Sequence, residues 1–493
     1  MSEANNFARL RRVADEDVRA PSMKLKHIGH SVSVSKAGRG WPIWITVSPI
    51  MKRLVLVAAF LCLITFGQIP TTSTPQTSAA FDVIHYNLRL EPDITNKSLT
   101  GKERIKFVSR TATLTQIEFN CGELTIDSVK ENNIARKFVR ADRRLIISLD
   151  RPARLNETRE LEIEYHGTPR RGIRFFPDRQ QVYTIFSTSQ WMVCVDEPDD
   201  RATFSFDLIL PANLTGVANG RLADKRQLLN NKTSWEWRQD STIPTYVFGF
   251  SIGKFRAVTE RHGHVELRYV SEQHTDDELR RIFRDTADMI DFYEERAGVR
   301  YADPVYTQVL AAGGVEQEMS SFTALRETYG RDVLANERAI WLGAHELAHQ
   351  WWGNMVTNRD WTHFWLNEGL ASFMASAYKE RRFGREEYMK DIAEYRANYE
   401  KVRDAGKDRS LVFPDWNSPT REDRTLVYDK GAYVIHLLRQ EMGERAFWNG
   451  IRRYTKKYFG KSVVTADFQR EMEAASSGSL KQFFDRWVYV RQS

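Results

Sequence analysis

The run His345-Glu346-Leu347-Ala348-His349 sets two imidazoles four positions apart with a carboxylate between them. Residues four apart share one face of an α-helix, so both rings can point at one ion while Glu346 falls beside it. Nineteen residues after His349 stands Glu368, in Trp365-Leu366-Asn367-Glu368-Gly369, which opens a second helical pattern, LNEGLASFMASAYKE. A third ligand from a neighbouring antiparallel helix completes the His, His, Glu set of a catalytic zinc site and leaves one coordination position open for water. The expected cofactor is one zinc ion held by His345, His349 and Glu368. Such an ion lowers the pKa of its water, and Glu346, which is not a ligand, takes that proton and passes it to the departing amine. Trp351, Trp352, Trp361 and Trp365 read as packing around these helices, and Asn367 as a group behind the ligands. His363, five residues before Glu368, lies on a different helix face and reads as a solvated or structural histidine.

Helices must therefore position this chemistry. From about residue 276 the chain carries long stretches of 3.6-residue periodicity, including DELRRIFRDTADMIDFYEERAG, NERAIWLGAHELAHQWWGN and REEYMKDIAEYRANYEKVRDA. Residues 306–312, YTQVLAA, interrupt them as a strand that ends in Gly313-Gly314. From residue 81 to about 254 the text differs. Short alternating or apolar runs such as YNLRLE, RIKFVS, RRLIISL, RELEIEYH and FSFDLILP are separated by Asn, Gly, Asp and Pro, the pattern of an all-β domain. The fold class expected is α+β, with a β-rich domain over 81–255 and a mainly helical catalytic domain over 256–493.

Charge excludes one class of function. The formal net charge is +7, but residues 1–53 hold ten Lys/Arg against four Asp/Glu, leaving 62 against 61 in the rest. A nearly neutral body argues against a nucleic-acid partner. The basic pair Lys52-Arg53 is followed by an apolar run of 13 residues, 54–66. That is short for a transmembrane helix, which needs about 20 residues, and right for a signal-peptide core, about 7–15. Residues 51–67 are expected to be an export signal, 1–50 an extension of the gene ahead of the true start, and 68–80 a Thr/Ser/Pro linker. The location implied is periplasmic or secreted, with no stable membrane span. Cys121 and Cys194 remain beyond the signal, and with no spacing motif two buried free thiols are favoured over a pair.

HELAHQWWGN followed by WLNEG resembles the aminopeptidase N family of zinc peptidases. The resemblance extends to Gly313-Gly314-Val315-Glu316-Gln317, similar to the family's GAMEN segment, and to Tyr428-Asp429-Lys430-Gly431-Ala432, similar to its YxKGA segment. FDVIHYNLRLE and CVDEPDDRATFSFDLILP carry it into the N-terminal half, so that it covers about residues 81–490. It implies a saddle-like all-β domain followed by a thermolysin-like domain, and hydrolysis of N-terminal residues from peptide substrates. It also implies that Glu316 binds the substrate's free α-amine. Gly313 and Gly314 would let an extended substrate backbone lie close, and Tyr428 would hydrogen-bond the oxyanion. Glu318, two residues on, stays open as a rival to Glu316. Val315 and Gln317 depart from the family's Met and Asn. The 187–192 stretch is shorter than the family's, and the sequence stops at Ser493, where the family's catalytic domain ends, so the large C-terminal helical domain is expected to be absent. A thermolysin-type endopeptidase and a non-catalytic peptide-binding relative are the alternatives.

Overall fold

The computed structural model describes residues 80–490 other than 315, 415, 417 and 418. The expected leader, the 51–67 signal and all but the last residue of the 68–80 linker lie outside the described residues.

Alternation of apolar and polar side chains builds the N-terminal half. Strand Ser98–Ser109 buries nearly every second residue, as a sheet with one face on a core demands. It belongs to an eight-stranded sheet whose centre is a parallel pair, Phe81–Asp93 beside Arg201–Pro211, flanked by antiparallel neighbours. A three-stranded and a four-stranded sheet share its core, where Leu88, Ile105, Ile117, Leu145, Val182 and Phe250 are all buried. Cys121 and Cys194 sit in this core as free thiols, and the backbone N–H of Asn120 donates to the Cys194 carbonyl at 2.7 Å.

A second four-stranded sheet opens the helical half, with strands Arg256–His262, Val265–Ser271, Val305–Ala311 and Phe322–Arg326 in that order. The last two junctions are parallel, so the Val305–Ala311 strand is central, and its end delivers the chain into a bend at 312–314. The helices pack against this sheet in one large core. Four of them matter for the site: α1 (Trp341–Ala348), α2 (Trp365–Phe383), α3 (Arg385–Asp404) and α4 (Gly431–Met442). Helix α2 is buried on all sides over its first fifteen residues, which explains its small residues Gly369, Ala371, Ser372, Ala375 and Ser376. Its basic last turn, Arg381 and Arg382, suits the negative end of a helix dipole. Among the described residues no helix is long and apolar enough to cross a membrane, which leaves strand-built spans unaddressed.

Candidate metal centre

Helix α1 and the residue that caps it present His345 and His349 from one face, and the first turn of α2 presents Glu368 opposite them. The ligand-capable atoms of the three lie within 4.8 Å of one another, and all three residues are buried. His345 Nε2 is 3.0 Å from His349 Nε2, and each is 3.4 Å from Glu368 Oε2. A tetrahedral centre about 2.0–2.1 Å from each donor has edges of about 3.3 Å, so one ion fits between them without rearrangement. The second observation is chemical. Glu368 Oε2 is buried with no hydrogen-bond partner, a costly state for an acceptor unless a cation completes it. The donor set and its spacing fit zinc.

Groups behind the ligands fix their orientation. His349 Nδ1 lies 3.1 Å from the Trp352 carbonyl, and a proton held there leaves the Nε2 lone pair facing the centre. That contact depends on Gly353, whose φ is 143° and where a Cβ would stand 2.8 Å from His349 Nδ1. His345 Nδ1 faces the Ser372 hydroxyl at 3.4 Å, one turn beyond Glu368 on α2. The His345 ring is near-parallel to Trp341 at 4.8 Å and to Tyr428 at 5.9 Å. Asn367 Nδ2 donates to the Tyr246 hydroxyl, which donates to the Gly353 carbonyl, tying the start of α2 to the turn after α1.

The electrostatics follow this layout. Burial works against the Glu368 carboxylate, but the two imidazoles prevail and hold it down at about 2. Burial, and then the charge of His349, lower His345 to about 4. Burial also opposes charge on His349, yet Glu368 beside it raises that imidazole to about 9. Glu346 is buried with Oε2 unpartnered, and burial, reinforced by the charges of Glu318, Glu316 and Glu368 and opposed by His349, pushes its carboxyl well above the usual range. A carboxylate so placed takes up a proton readily.

The remaining sequence candidates fall on the walls. Glu316 is half-buried, and Arg326 Nη1 donates to its Oε1 at 2.9 Å. Glu318 is buried, with Oε1 unpartnered, and burial together with Glu368 raises it to about 7 against the pull of His349. The turns that follow α1 fix that segment: Asn354 Nδ2 donates to the Glu318 carbonyl and Gln350 Nε2 to the Met319 carbonyl, each at 3.0 Å. Gly313 and Gly314 lie in the bend after the strand. Gly313 is exposed, but the place of a Cβ on it is taken by Phe176, which is 2.8 Å away and stacked on Tyr183. Tyr428 is half-buried; burial, then Glu368, push its phenol well above its usual pKa, so it stays a donor. His363 bonds Thr465 away from the centre, and Trp351, Trp352 and Trp365 are buried, each with its indole N–H satisfied. Ser372 and Trp341 were not singled out in the sequence, although each is a helical turn from a ligand and that spacing is a usable signal.

Two family models match the chain in succession: the peptidase M1 N-terminal domain over residues 83–247 and the peptidase family M1 domain over residues 282–487. Aminopeptidase N of Lactococcus lactis subsp. lactis is 26% identical over 453 residues, which cover 85% of this chain and 52% of that protein. Glutamyl aminopeptidase of Sus scrofa is 28% identical over 315 residues, 60% of this chain and 33% of that protein. The chain thus spans about half the length, or less, of these relatives. An M1 zinc metallopeptidase from Deinococcus radiodurans, solved with a Tyr-Ser-Ala substrate, matches with a TM-score of 0.73 at 24% identity. That match covers 84% of this chain and 95% of the other, and it is a likeness of fold.

Proposed function

This chain belongs to peptidase family M1, and from that premise we propose that it is an aminopeptidase using one zinc ion to hydrolyse N-terminal residues from peptides. The observation that carries the reading is the grouping of buried carboxylates around one point: Glu368 in the tripod, Glu346 beside it and Glu318 on the wall, each with a buried oxygen that accepts no hydrogen bond. One cation binds the first. The others suit a proton and a substrate ammonium.

A zinc ion in the tripod supplies Lewis acidity that makes a water nucleophilic at neutral pH and polarises the scissile carbonyl. Glu346 accepts the proton of the attacking water and delivers it to the amide nitrogen as the C–N bond breaks, so that the leaving product is a neutral amine. The Tyr428 phenol donates a hydrogen bond to the carbonyl oxygen as negative charge develops on it. The substrate's ammonium is held by the carboxylates of the 316–318 segment, which places the cut one residue from the N-terminus. Glu316 is already paired with Arg326, which favours Glu318 as the closer partner of that ammonium. Export forms part of the same proposal and rests on the Lys52-Arg53 pair and the apolar run after it. Detection of the protein in the periplasm or medium tests it, and retention in the cytosol of its native host would contradict it.

The test is a panel of aminoacyl p-nitroanilides with free and acetylated amines, run on the purified protein and on Glu316→Ala and Glu318→Ala. Turnover of the free-amine series alone is expected. Loss of one charge-assisted contact, about 1.5–3 kcal/mol, lowers kcat/KM about 10- to 100-fold, and Glu318→Ala should show the larger loss. Equal turnover of acetylated substrates would replace the aminopeptidase reading with an endopeptidase one.

A further inference from the structure

Tyr428 sits in the middle of Leu426–Lys430, five residues wound as a π-helix between the α-helical turn Arg421–Thr425 and α4. A π-turn adds a residue to a helix and is less favourable than the α-form, so it persists where surrounding contacts hold it and recurs at functional sites. Among the contacts from outside the helix that hold this one, two bear on where Tyr428 stands.

The first is Lys430, whose side chain has no exposure. Its Nζ donates to Asp408 Oδ1 at 2.8 Å and to the Arg409 carbonyl at 2.7 Å, and lies 5.2 Å from the centre of the Tyr399 ring of α3. Asp408 is 22 residues earlier in the chain, so this buried pair pins the end of the π-turn to a segment that takes no part in the metal centre. The second is a backbone contact. Gly431, the first residue of α4, abuts Gly369 of α2, and a Cβ on either would stand 3.0 Å from backbone atoms of the other. Gly369 directly follows the ligand Glu368, and Gly431 is three residues beyond Tyr428. The helix bearing the ligand and the turn bearing the phenol therefore touch with no side chain between them, and Lys430 holds the turn against that contact.

We infer that Lys430, through Asp408 and the Gly369–Gly431 contact, is a positioning residue that sets the Tyr428 phenol relative to Glu368. The inference rests on the aminopeptidase reading for its kinetic consequence but not for its structural one. Removing the Lys430 charge lets the π-turn relax toward an α-turn and swings residue 428 about the helix axis.

The experiment is a double-mutant cycle of Lys430→Met and Tyr428→Phe with an alanyl p-nitroanilide as substrate. Lys430→Met is expected to lower kcat roughly 10- to 100-fold, with KM changed less than about 3-fold and zinc stoichiometry unchanged. In the Tyr428→Phe background the same change should cost less than about 2-fold, because its effect passes through the phenol. Multiplying losses, or loss of zinc, would overturn the inference and leave Lys430 a general stabiliser of the fold. Should Lys430→Met not fold, Gly431→Ala is read by the same criteria. A crystal structure of whichever variant folds decides the structural half even if the parent turns over no aminoacyl substrate. Displacement of the Tyr428 ring from its stack on His345 is expected, and an unmoved ring would refute the inference.

Discussion

The metal tripod and the acidic wall beside it are built in opposite ways. His345, His349 and Glu368 stand on two buried helices, so helical period and close packing fix their spacing, and each ligand has support behind it. Glu316 and Glu318 stand on an irregular stretch between two parallel strands, held by Arg326 on one side and by Asn354 and Gln350 on the other. The first arrangement gives a site of one geometry, as a tetrahedral ion requires. The second gives neighbouring carboxylates two residues apart whose roles are divided by what each is already bonded to. Metal binding and substrate recognition should then fail separately, through different residues.

The largest expected effect tests whether the tripod can be complete and yet inert. Glu346 is within the chamber but outside the tripod, so Glu346→Gln keeps its shape and removes its capacity to carry a proton. The expected loss in kcat is about 10²- to 10⁴-fold, with one zinc still bound per chain by atomic absorption. Retained turnover would show that another group carries the proton, and lost zinc would show that Glu346 belongs to the tripod after all.

The next effect in size probes the support behind the ligands. Ser372→Ala removes the hydroxyl facing His345 Nδ1 and changes little else in a helix rich in small residues. Loss of such a group typically weakens metal binding about 10- to 100-fold, measurable by competition with a chelator. The contrast with the acidic wall sharpens here, because Ser372→Ala should leave KM for free-amine substrates unchanged once zinc is saturating, whereas Glu318→Ala should do the reverse.

The same contrast marks how much could be read from the residues alone. The tripod was legible because the two histidines of HExxH obey helical period and Glu368 opens a second helical pattern close behind them, in which Ser372 follows one turn past Glu368. The strands of the N-terminal half were legible through alternation, but their order was not. Nothing local in Phe81–Asp93 says that its parallel partner is Arg201–Pro211, more than a hundred residues away. The choice between Glu316 and Glu318 was illegible because the stretch has no period, so two residues of slip carry no penalty visible in the sequence. Tyr428 was readable as a residue, but its π-turn was not. Its cause lies in Asp408 and Gly369, which reach it through space. The sequence also does not show that the side chain of Phe176, from a hairpin of the other domain, takes the place of a Cβ on Gly313.

The smallest effect concerns the scaffold rather than either site. His436 on α4 is buried, with Nδ1 at 2.7 Å from the Tyr388 hydroxyl and its ring stacked on Tyr433. Burial, with the charges of Arg385 and Arg439, lowers it to about 4, and Glu380 opposes them only weakly. An unfolded histidine titrates near 6.5. Above that pH the imidazole is neutral in both states and the shift has no effect. As pH falls from about 6.5 to about 4 the unfolded chain takes up the proton first, so stability declines across that window. Allowing for partial screening by water, the loss is about 1–2 kcal/mol. Urea midpoints of the parent and of His436→Gln between pH 7 and pH 4.5 isolate it, because the carboxylates titrate alike in both proteins. The parent should lose more stability than the variant over that range, while zinc stoichiometry at pH 7 stays the same in both. Parallel declines would mean that the α4 histidine accepts its proton in the folded state, and that the helices behind the tripod are less closed than their packing implies.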